Sequence, residues 1–172
     1  CLDVGWLEQI VCGASTREHE SLAVPVATAS QIHTALLLAG FEPGRPGQWI
    51  YEEDGYRFEP PHGAKLRIRC RLEGGPALPI GAYVRDRRTL ARFPDEPFVF
   101  GGSQTFDHPA LGPVYAADYS GSIIGLATFG DEVIGFSREV LPDEEIAPPE
   151  WEVDPDAIPP LGTPITFIVE SW

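Results

Sequence analysis

The chain has 172 residues, of which 43% are hydrophobic, and this length lets one domain bury a core without disulfide or metal staples. Its 26 acidic and 12 basic residues give a net charge of −14, which repels phosphate backbones and excludes nucleic acid and anionic lipid as expected partners. No apolar run approaches the roughly 20 residues that span a bilayer, and 18 glycines with 18 prolines favour short strands and turns over a helical bundle.

The first residue is one of three cysteines, and the chain contains no methionine, so we expect a processed or truncated product. Cys1 could carry a lipid, or the chain could be cut at an arbitrary boundary; the second interpretation is favoured because no flexible polar tether follows Cys1. Cys1 and Cys12 could form a disulfide across a hairpin, since residues 3–5 supply turn chemistry. Cys70 alternates with apolar residues and is expected to be buried.

Residues 6–11 and 20–26 are predicted to be strands because apolar side chains alternate along both. Residues 12–16 contain glycine and hydroxyl side chains and form the turn between them. Pro25 has no N–H to donate to a neighbouring strand, so the second strand is expected near a sheet edge.

The firmest predicted element is a helix over about residues 30–39. Thr28 and Gln31 have the spacing of a capping box. Apolar side chains then recur at helical spacing, and Leu37 and Leu38 widen the apolar stripe: Ile32, Ala35, Leu36 and Ala39. Gly40 is placed to end the helix in a left-handed conformation.

Further short strands are predicted at residues 48–51, 56–59, 65–72, 80–84, 97–103, 114–117, 123–129 and 166–169. In 65–72 the bases lie on one face, which is expected to be exposed and neutralised by neighbouring acids. The acidic, proline-containing residues 139–156 are expected to form a solvated loop. The predicted fold class is α+β: a mostly antiparallel sheet of short strands with one principal helix, in a single domain over 1–172.

Several segments resemble the YdjY-domain family of bacterial proteins, and they span nearly the whole chain: residues 16–22, 30–33, 35–40, 84–89, 98–103, 115–118, 121–122 and 160–164. The resemblance implies an exported or envelope protein of unassigned activity, and it supplies no catalytic residues. The implied location is extracytoplasmic: periplasmic, secreted or envelope-associated. Export also favours the bridge between Cys1 and Cys12. Some family members are described as ferredoxin-like, but three scattered cysteines cannot build a four-thiolate iron–sulfur site.

The densest group of titratable side chains is Arg17, Glu18, His19 and Glu20. In an extended segment Glu18 and Glu20 share one face and His19 lies on the other. This alternation favours a structural role, in which Arg17 pairs with a carboxylate and His19 contacts a backbone carbonyl. A zinc or iron site that uses His19, Glu20 and His33 would need a turn instead.

The function expected from the sequence is that of a module that binds a ligand or partner, or serves a structural role, without catalysis. The alternative is a metal- or thiol-dependent enzyme centred on Cys12, His19, Glu20 and His33, with Cys12 as nucleophile and His19 as base. No cofactor is expected for a binding module. Zinc or iron belongs to the enzyme alternative. The partner is either a protein or a small molecule, and neither it nor the oligomeric state is indicated. Candidate binding residues are Arg17, Glu18, His19, Glu20, His33 and Asp118, the last in a predicted Asx-type turn.

Overall fold

A computed structural model describes residues 5–53, 55–138, 140 and 150–172. Cys1 lies outside the described residues, and so does most of the predicted acidic loop, at 139 and 141–149. No helix among the described residues is long and apolar enough to cross a membrane.

The described residues form fifteen strands: β1 (Trp6–Leu7), β2 (Gln9–Cys12), β3 (Ser21–Ala23), β4 (Gln48–Glu52), β5 (Gly55–Glu59), β6 (Lys65–Leu72), β7 (Ala77–Pro79), β8 (Val84–Asp86), β9 (Phe98–Phe100), β10 (Thr105–His108), β11 (Gly112–Tyr115), β12 (Ser122–Gly125), β13 (Ile134–Phe136), β14 (Trp151–Val153) and β15 (Ile165–Ser171). The helices are α1 (Ala29–Leu38) and α2 (Ala116–Ser120), and 3₁₀ turns lie at Glu18–Glu20 and Ile80–Ala82.

With 41% strand and 13% helix, the fold is predominantly β, which corrects the predicted α+β class. The predicted antiparallel character and the single principal helix are confirmed, since α1 alone among the described helices has seven residues or more. The main sheet has eight strands, in the order β15-β6-β9-β13-β12-β2-β3 with β7 also on β6. Only the pairs β12–β13 and β2–β3 are parallel in this sheet. The smaller sheets are β1-β14-β8, β4-β5 and β10-β11.

The longest strand, β6, is organised by strict alternation. Leu66, Ile68 and Cys70 are buried, whereas the arginines between them point to the opposite face. Along one edge β6 pairs with β15 from Leu66 to Leu72. The buried face joins the hydrophobic core, so β6 fixes the centre of the sheet.

The other edge of β6 has two partners with a gap between them. β9 pairs with residues 65 and 66, and β7 pairs with residues 69–71, so no described strand pairs with Arg67 or Ile68 on this edge. Continuing the β9 register would bring Pro97 opposite Arg67, but the Pro97 carbonyl accepts from the Ser137 N–H at 3.3 Å, so its backbone groups face the β13 side. On the other side, β7 ends at Pro79, where the chain turns into a 3₁₀ turn. The two prolines therefore bound the gap.

Glycine sets where β9 meets β6. At Gly63, which has φ of 140°, an added Cβ would lie 2.0 Å from the carbonyl oxygen of Phe100. The Phe100 N–H donates to the Ala64 carbonyl at 2.9 Å, just beyond this close approach. The end of β9 is thereby held against the start of β6.

Helix α1 confirms the predicted capping box. The Thr28 hydroxyl accepts from the Gln31 N–H at 3.3 Å, and the Gln31 side chain accepts from the Thr28 N–H at 3.0 Å. Gly40 follows with φ of 88°, as its predicted role requires. The apolar stripe is narrower than predicted, because Leu37 and Leu38 are 44% and 85% exposed.

We predict that Thr28→Ala lowers the free energy of unfolding by about 1 kcal/mol, because it leaves the Gln31 N–H without its capping acceptor. The measurement is urea unfolding followed by circular dichroism. Thr34→Ala is the matched control, since the Thr34 hydroxyl only donates back to the Ser30 carbonyl within the helix. Equal losses in the two variants would contradict the capping role.

Candidate functional site

The predicted charged cluster forms around a 3₁₀ turn, and the predicted strand begins only at Ser21. The Ser15 N–H donates to the Glu18 carboxylate and the Glu20 N–H donates to the Arg17 carbonyl, so the segment closes into a turn. The expectation that His19 and Glu20 point to opposite faces is therefore wrong: His19 Nε2 lies 3.1 Å from Glu20 Oε1. Backbone N–H groups, first that of Glu18 and then that of Ser15, lower the pKa of Glu18.

Arg17 ties this turn to the rest of the fold. Its guanidinium lies 3.5 Å from Glu8 and 3.9 Å from Glu20, and 3.8 Å above the Phe129 ring. The expected pairing of Arg17 with a carboxylate is thus present. His19 contacts a carboxylate where a carbonyl was expected, and its side chain is 72% exposed. The cluster borders only a shallow depression of about 490 Å³.

His33 belongs to a different cluster, between α1 and the end of β9. Its Nδ1 lies 2.8 Å from the Tyr115 hydroxyl, which donates to the Gly102 carbonyl at 2.9 Å. Because the single hydroxyl hydrogen serves Gly102, we assign the proton of this pair to His33 Nδ1. Burial raises the pKa of Tyr115 to about 12. At Gly102, with φ of 85°, an added Cβ would lie 3.2 Å from His33 and 2.9 Å from Pro43, so the loop packs closely on the imidazole.

The two histidines therefore have separate partners. Among the described residues, no three side chains of His, Cys, Asp and Glu gather in a way that could hold a metal ion. Cys12 is completely buried and its thiol is free within the described part of the chain. Cys70 is buried as predicted, and desolvation raises the pKa of its thiol to about 12. Because Cys1 is not described, the Cys1–Cys12 bridge stays a prediction.

Asp118 caps the principal helix. Its Oδ1 accepts from the Ser30 N–H at 2.9 Å, which places a carboxylate at the positive end of α1. The predicted Asx-type turn at this point is instead helix α2, which ends at Gly121 with φ of 81°. This hydrogen bond makes Asp118 a link between α1 and α2.

A larger site lies beside the gap in β6, away from all the predicted site residues. It is a cleft of about 780 Å³ whose apolar part includes Ile80, Phe93 and Phe98. Phe93 and Phe98 are stacked, with ring centroids 6.0 Å apart and an angle of 17° between their planes. The loop that carries Phe93 is fixed by its N–H, which donates to the Val84 carbonyl at 3.1 Å.

Charged side chains line the rest of this cleft. Three of its carboxylates each have an arginine within ion-pair distance: Glu170 with Arg69 (3.5 Å), Glu96 with Arg138 (3.5 Å) and Asp154 with Arg85 (3.6 Å). Arg67 and Arg92 also line it, and among the described residues no carboxylate lies within ion-pair distance of either. Arg67 stacks 4.4 Å from the ring of Trp172, and the Trp172 backbone N–H donates to the Lys65 carbonyl at 3.0 Å.

The sequence contained one signal for this cleft, the row of bases in residues 65–72. We expected neighbouring acids to neutralise that row. Glu170 does so for Arg69, but Arg67 stacks on Trp172. The sequence pattern could not reveal that the chain end and residues 92–98 would meet at this strand.

Glu132 is a buried carboxyl group that the sequence interpretation missed. It is 1% exposed, and its Oε1 accepts from the N–H groups of Phe129 and Gly130, the latter at 3.2 Å. Burial raises its pKa from 4.5 to about 7, against the lowering effect of these hydrogen bonds.

A pH dependence of stability follows from Glu132. Between the unfolded pKa of 4.5 and the folded pKa of about 7, the folded state binds more protons than the unfolded state. The free energy of unfolding should therefore fall as pH rises through this window, by up to about 3 kcal/mol from this group.

We predict that Glu132→Gln, which keeps an acceptor oxygen but cannot ionise, becomes more stable relative to the wild type as pH rises from 5 to 7. Urea unfolding at each pH measures the difference, with Glu73→Gln at an exposed position as control. Parallel pH profiles of the wild type and Glu132→Gln would show that Glu132 does not titrate in this window.

Comparison with known proteins gives one match. A family model described as the YdjY domain matches residues 3–170. No curated protein and no solved structure gives a significant match.

Proposed function

The chain belongs to the YdjY domain family, and we propose that it is a ligand-binding domain that performs no catalysis. The ligand site in this proposal is the cleft beside the gap in β6. The observation that carries the proposal is the combination of an apolar surface with a few fixed charged groups in one concavity of about 780 Å³. Volumes of about 300–1,000 Å³ with this composition are typical of small-molecule sites.

The construction of the cleft supports this role. Its walls come from β6, the 3₁₀ turn at Ile80–Ala82, residues 92–98 and the chain end at Trp172. Each segment is held by backbone hydrogen bonds, as the bonds of Phe93 to Val84 and of Trp172 to Lys65 illustrate. A site held in this way loses little conformational entropy when a ligand binds.

The enzyme alternative receives less support from the described residues. Cys12 is completely buried, whereas a nucleophilic thiol needs access to its substrate. His33 packs against Gly102 and contacts Tyr115, and His19 pairs with Glu20 on an open surface. These groups act as connections within the fold in our proposal.

We also propose that the protein acts outside the cytoplasm, in the periplasm, the envelope or the medium. The support is the resemblance to a family whose members look like exported proteins. Fractionation of the source cells with an antiserum to this chain tests it. Recovery in the periplasmic, envelope or secreted fraction is expected, and confinement to the cytoplasm would contradict it.

We predict that the neutral dye N-phenyl-1-naphthylamine binds the cleft with enhanced fluorescence. Ala157→Trp should weaken binding about tenfold or more, equivalent to about 1.4 kcal/mol, because the exposed Ala157 lines the cleft and a larger side chain would occupy it. Titration of dye fluorescence measures this.

Ala110→Trp is the matched control, because Ala110 is also exposed but lies in the turn between β10 and β11. Its affinity for the dye should equal that of the wild type. Absence of dye binding, or equal affinities in the two variants, would contradict a binding site in the cleft.

A further inference from the structure

We infer that the ligand of the cleft is an organic monoanion, with one carboxylate or similar acidic group attached to a flat apolar body. The inference rests on the proposed function of the cleft and specifies the chemistry of its ligand. It follows from the charges left over in the cleft wall, from the way Arg67 is presented and from the shape of the apolar surface.

Two guanidinium groups of the cleft wall, Arg67 and Arg92, have no ion-pair partner among the described residues. Three acids of the wall have arginine partners, but two of those arginines are shared: Arg85 lies 2.7 Å from Glu152 and 3.6 Å from Asp154, and Arg138 lies 3.5 Å from Glu96 and 3.9 Å from Glu150. One acidic group of a ligand can therefore be bound by the two unpaired arginines. The surrounding acids, with the unpaired Asp95, disfavour a polyanion, and a cation would face the two unpaired arginines.

Arg67 is presented in a way that suits an anion. The guanidinium stacks on the Trp172 ring at 4.4 Å, so the ring holds one face of the group. Stacking of this kind leaves the N–H donors at the edge of the guanidinium plane available, and a carboxylate can accept two of them. Among the described residues the Arg67 side chain has no hydrogen-bond acceptor of its own, in contrast to Arg69, which donates to the Ala77 carbonyl at 2.7 Å.

The net charge of −14 does not remove this local preference. At physiological ionic strength, charges more than about 8 Å apart are largely screened, so the groups in contact with a ligand decide its charge. The acidic surface should slow the approach of an anion and leave its preference at the site intact.

The apolar part of the cleft suits a flat body. The large apolar side chains exposed in the cleft are Leu78 and Trp172, which are 37% and 41% exposed, while Phe93 and Phe98 lie buried behind them at 6% and 2%. Aromatic side chains such as Trp172 favour offset stacking or edge contact with a second ring. A fused aromatic ring system attached to the acidic group therefore fits both halves of the cleft.

The test uses three compounds with the same naphthalene body: 2-naphthoate, 2-naphthamide and 2-naphthylmethylammonium. Isothermal titration calorimetry should give 2-naphthoate an affinity about tenfold or more above that of the amide, with the ammonium compound weakest. Equal affinities of naphthoate and amide would overturn the anion inference while leaving the cleft as a binding site. Failure of all three compounds and of the neutral dye to bind would overturn the proposed function itself.

Variants assign the preference to particular residues. Arg67→Gln and Arg92→Gln should each reduce the ratio of naphthoate to naphthamide affinity about fivefold, while naphthamide binding is kept. Arg71→Gln is the matched control, because Arg71 lies exposed on the same strand outside the cleft, and its ratio should be unchanged.

Asp95→Asn tests the same charges in the opposite direction. Removing the unpaired carboxylate should raise naphthoate affinity several-fold, a gain that misfolding cannot produce. Unchanged ratios in Arg67→Gln and Arg92→Gln together with unchanged affinity in Asp95→Asn would overturn the inference.

Discussion

The central constraint in this fold is the interrupted ladder along β6. One edge of the strand is paired with β15 throughout, but the other edge changes partner between residues 66 and 69. β9 begins at Phe98, directly after Pro97, and the chain leaves β7 at Pro79. Gly63 fixes the start of this arrangement by allowing the backbone just before β6 to approach Phe100. The cleft is the space that these backbone limits leave beside Arg67 and Ile68, so its position depends on backbone chemistry and its ligand preference on side chains.

The charged residues around the turn at Glu18–Glu20 and those in the cleft use their charges differently. Around the turn at Glu18–Glu20, opposite charges contact one another, and Arg17 lies close to Glu8, Glu20 and Phe129. This arrangement uses its charges internally and connects the turn to neighbouring loops. At the cleft, Arg69, Arg85 and Arg138 form ion pairs with acids, while Arg67 and Arg92 have no ion-pair partner among the described residues and are left for a ligand. Unpaired arginines can therefore exist in a chain with a net charge of −14.

Local signals made α1 predictable, and long-range pairing made the cleft unpredictable. Thr28, Gln31 and Gly40 lie within or beside the helix that they specify, so the sequence alone predicted its capping box and its end. For Glu18–Glu20 the sequence allowed an extended segment leading into the strand predicted at 20–26, but hydrogen bonds from backbone N–H groups to Glu18 and to the Arg17 carbonyl favour a turn. The partner of Arg67 is Trp172, more than a hundred residues away in sequence, and only the pairing of β6 with β15 brings them together. A separation of 88 residues likewise hid the capping contact of Asp118 with Ser30 of α1.

The most direct test of the account is to observe the arginine side chains during addition of 2-naphthoate. Two-dimensional ¹H–¹⁵N NMR resolves the Nε–Hε group of each arginine, and variants assign the signals. We predict saturable shifts of the Arg67 and Arg92 signals with a common dissociation constant, and no comparable shift for Arg71 or Arg17. Shifts confined to Arg17, or the absence of any saturable arginine shift, would contradict the claim that an organic anion binds beside the gap in β6.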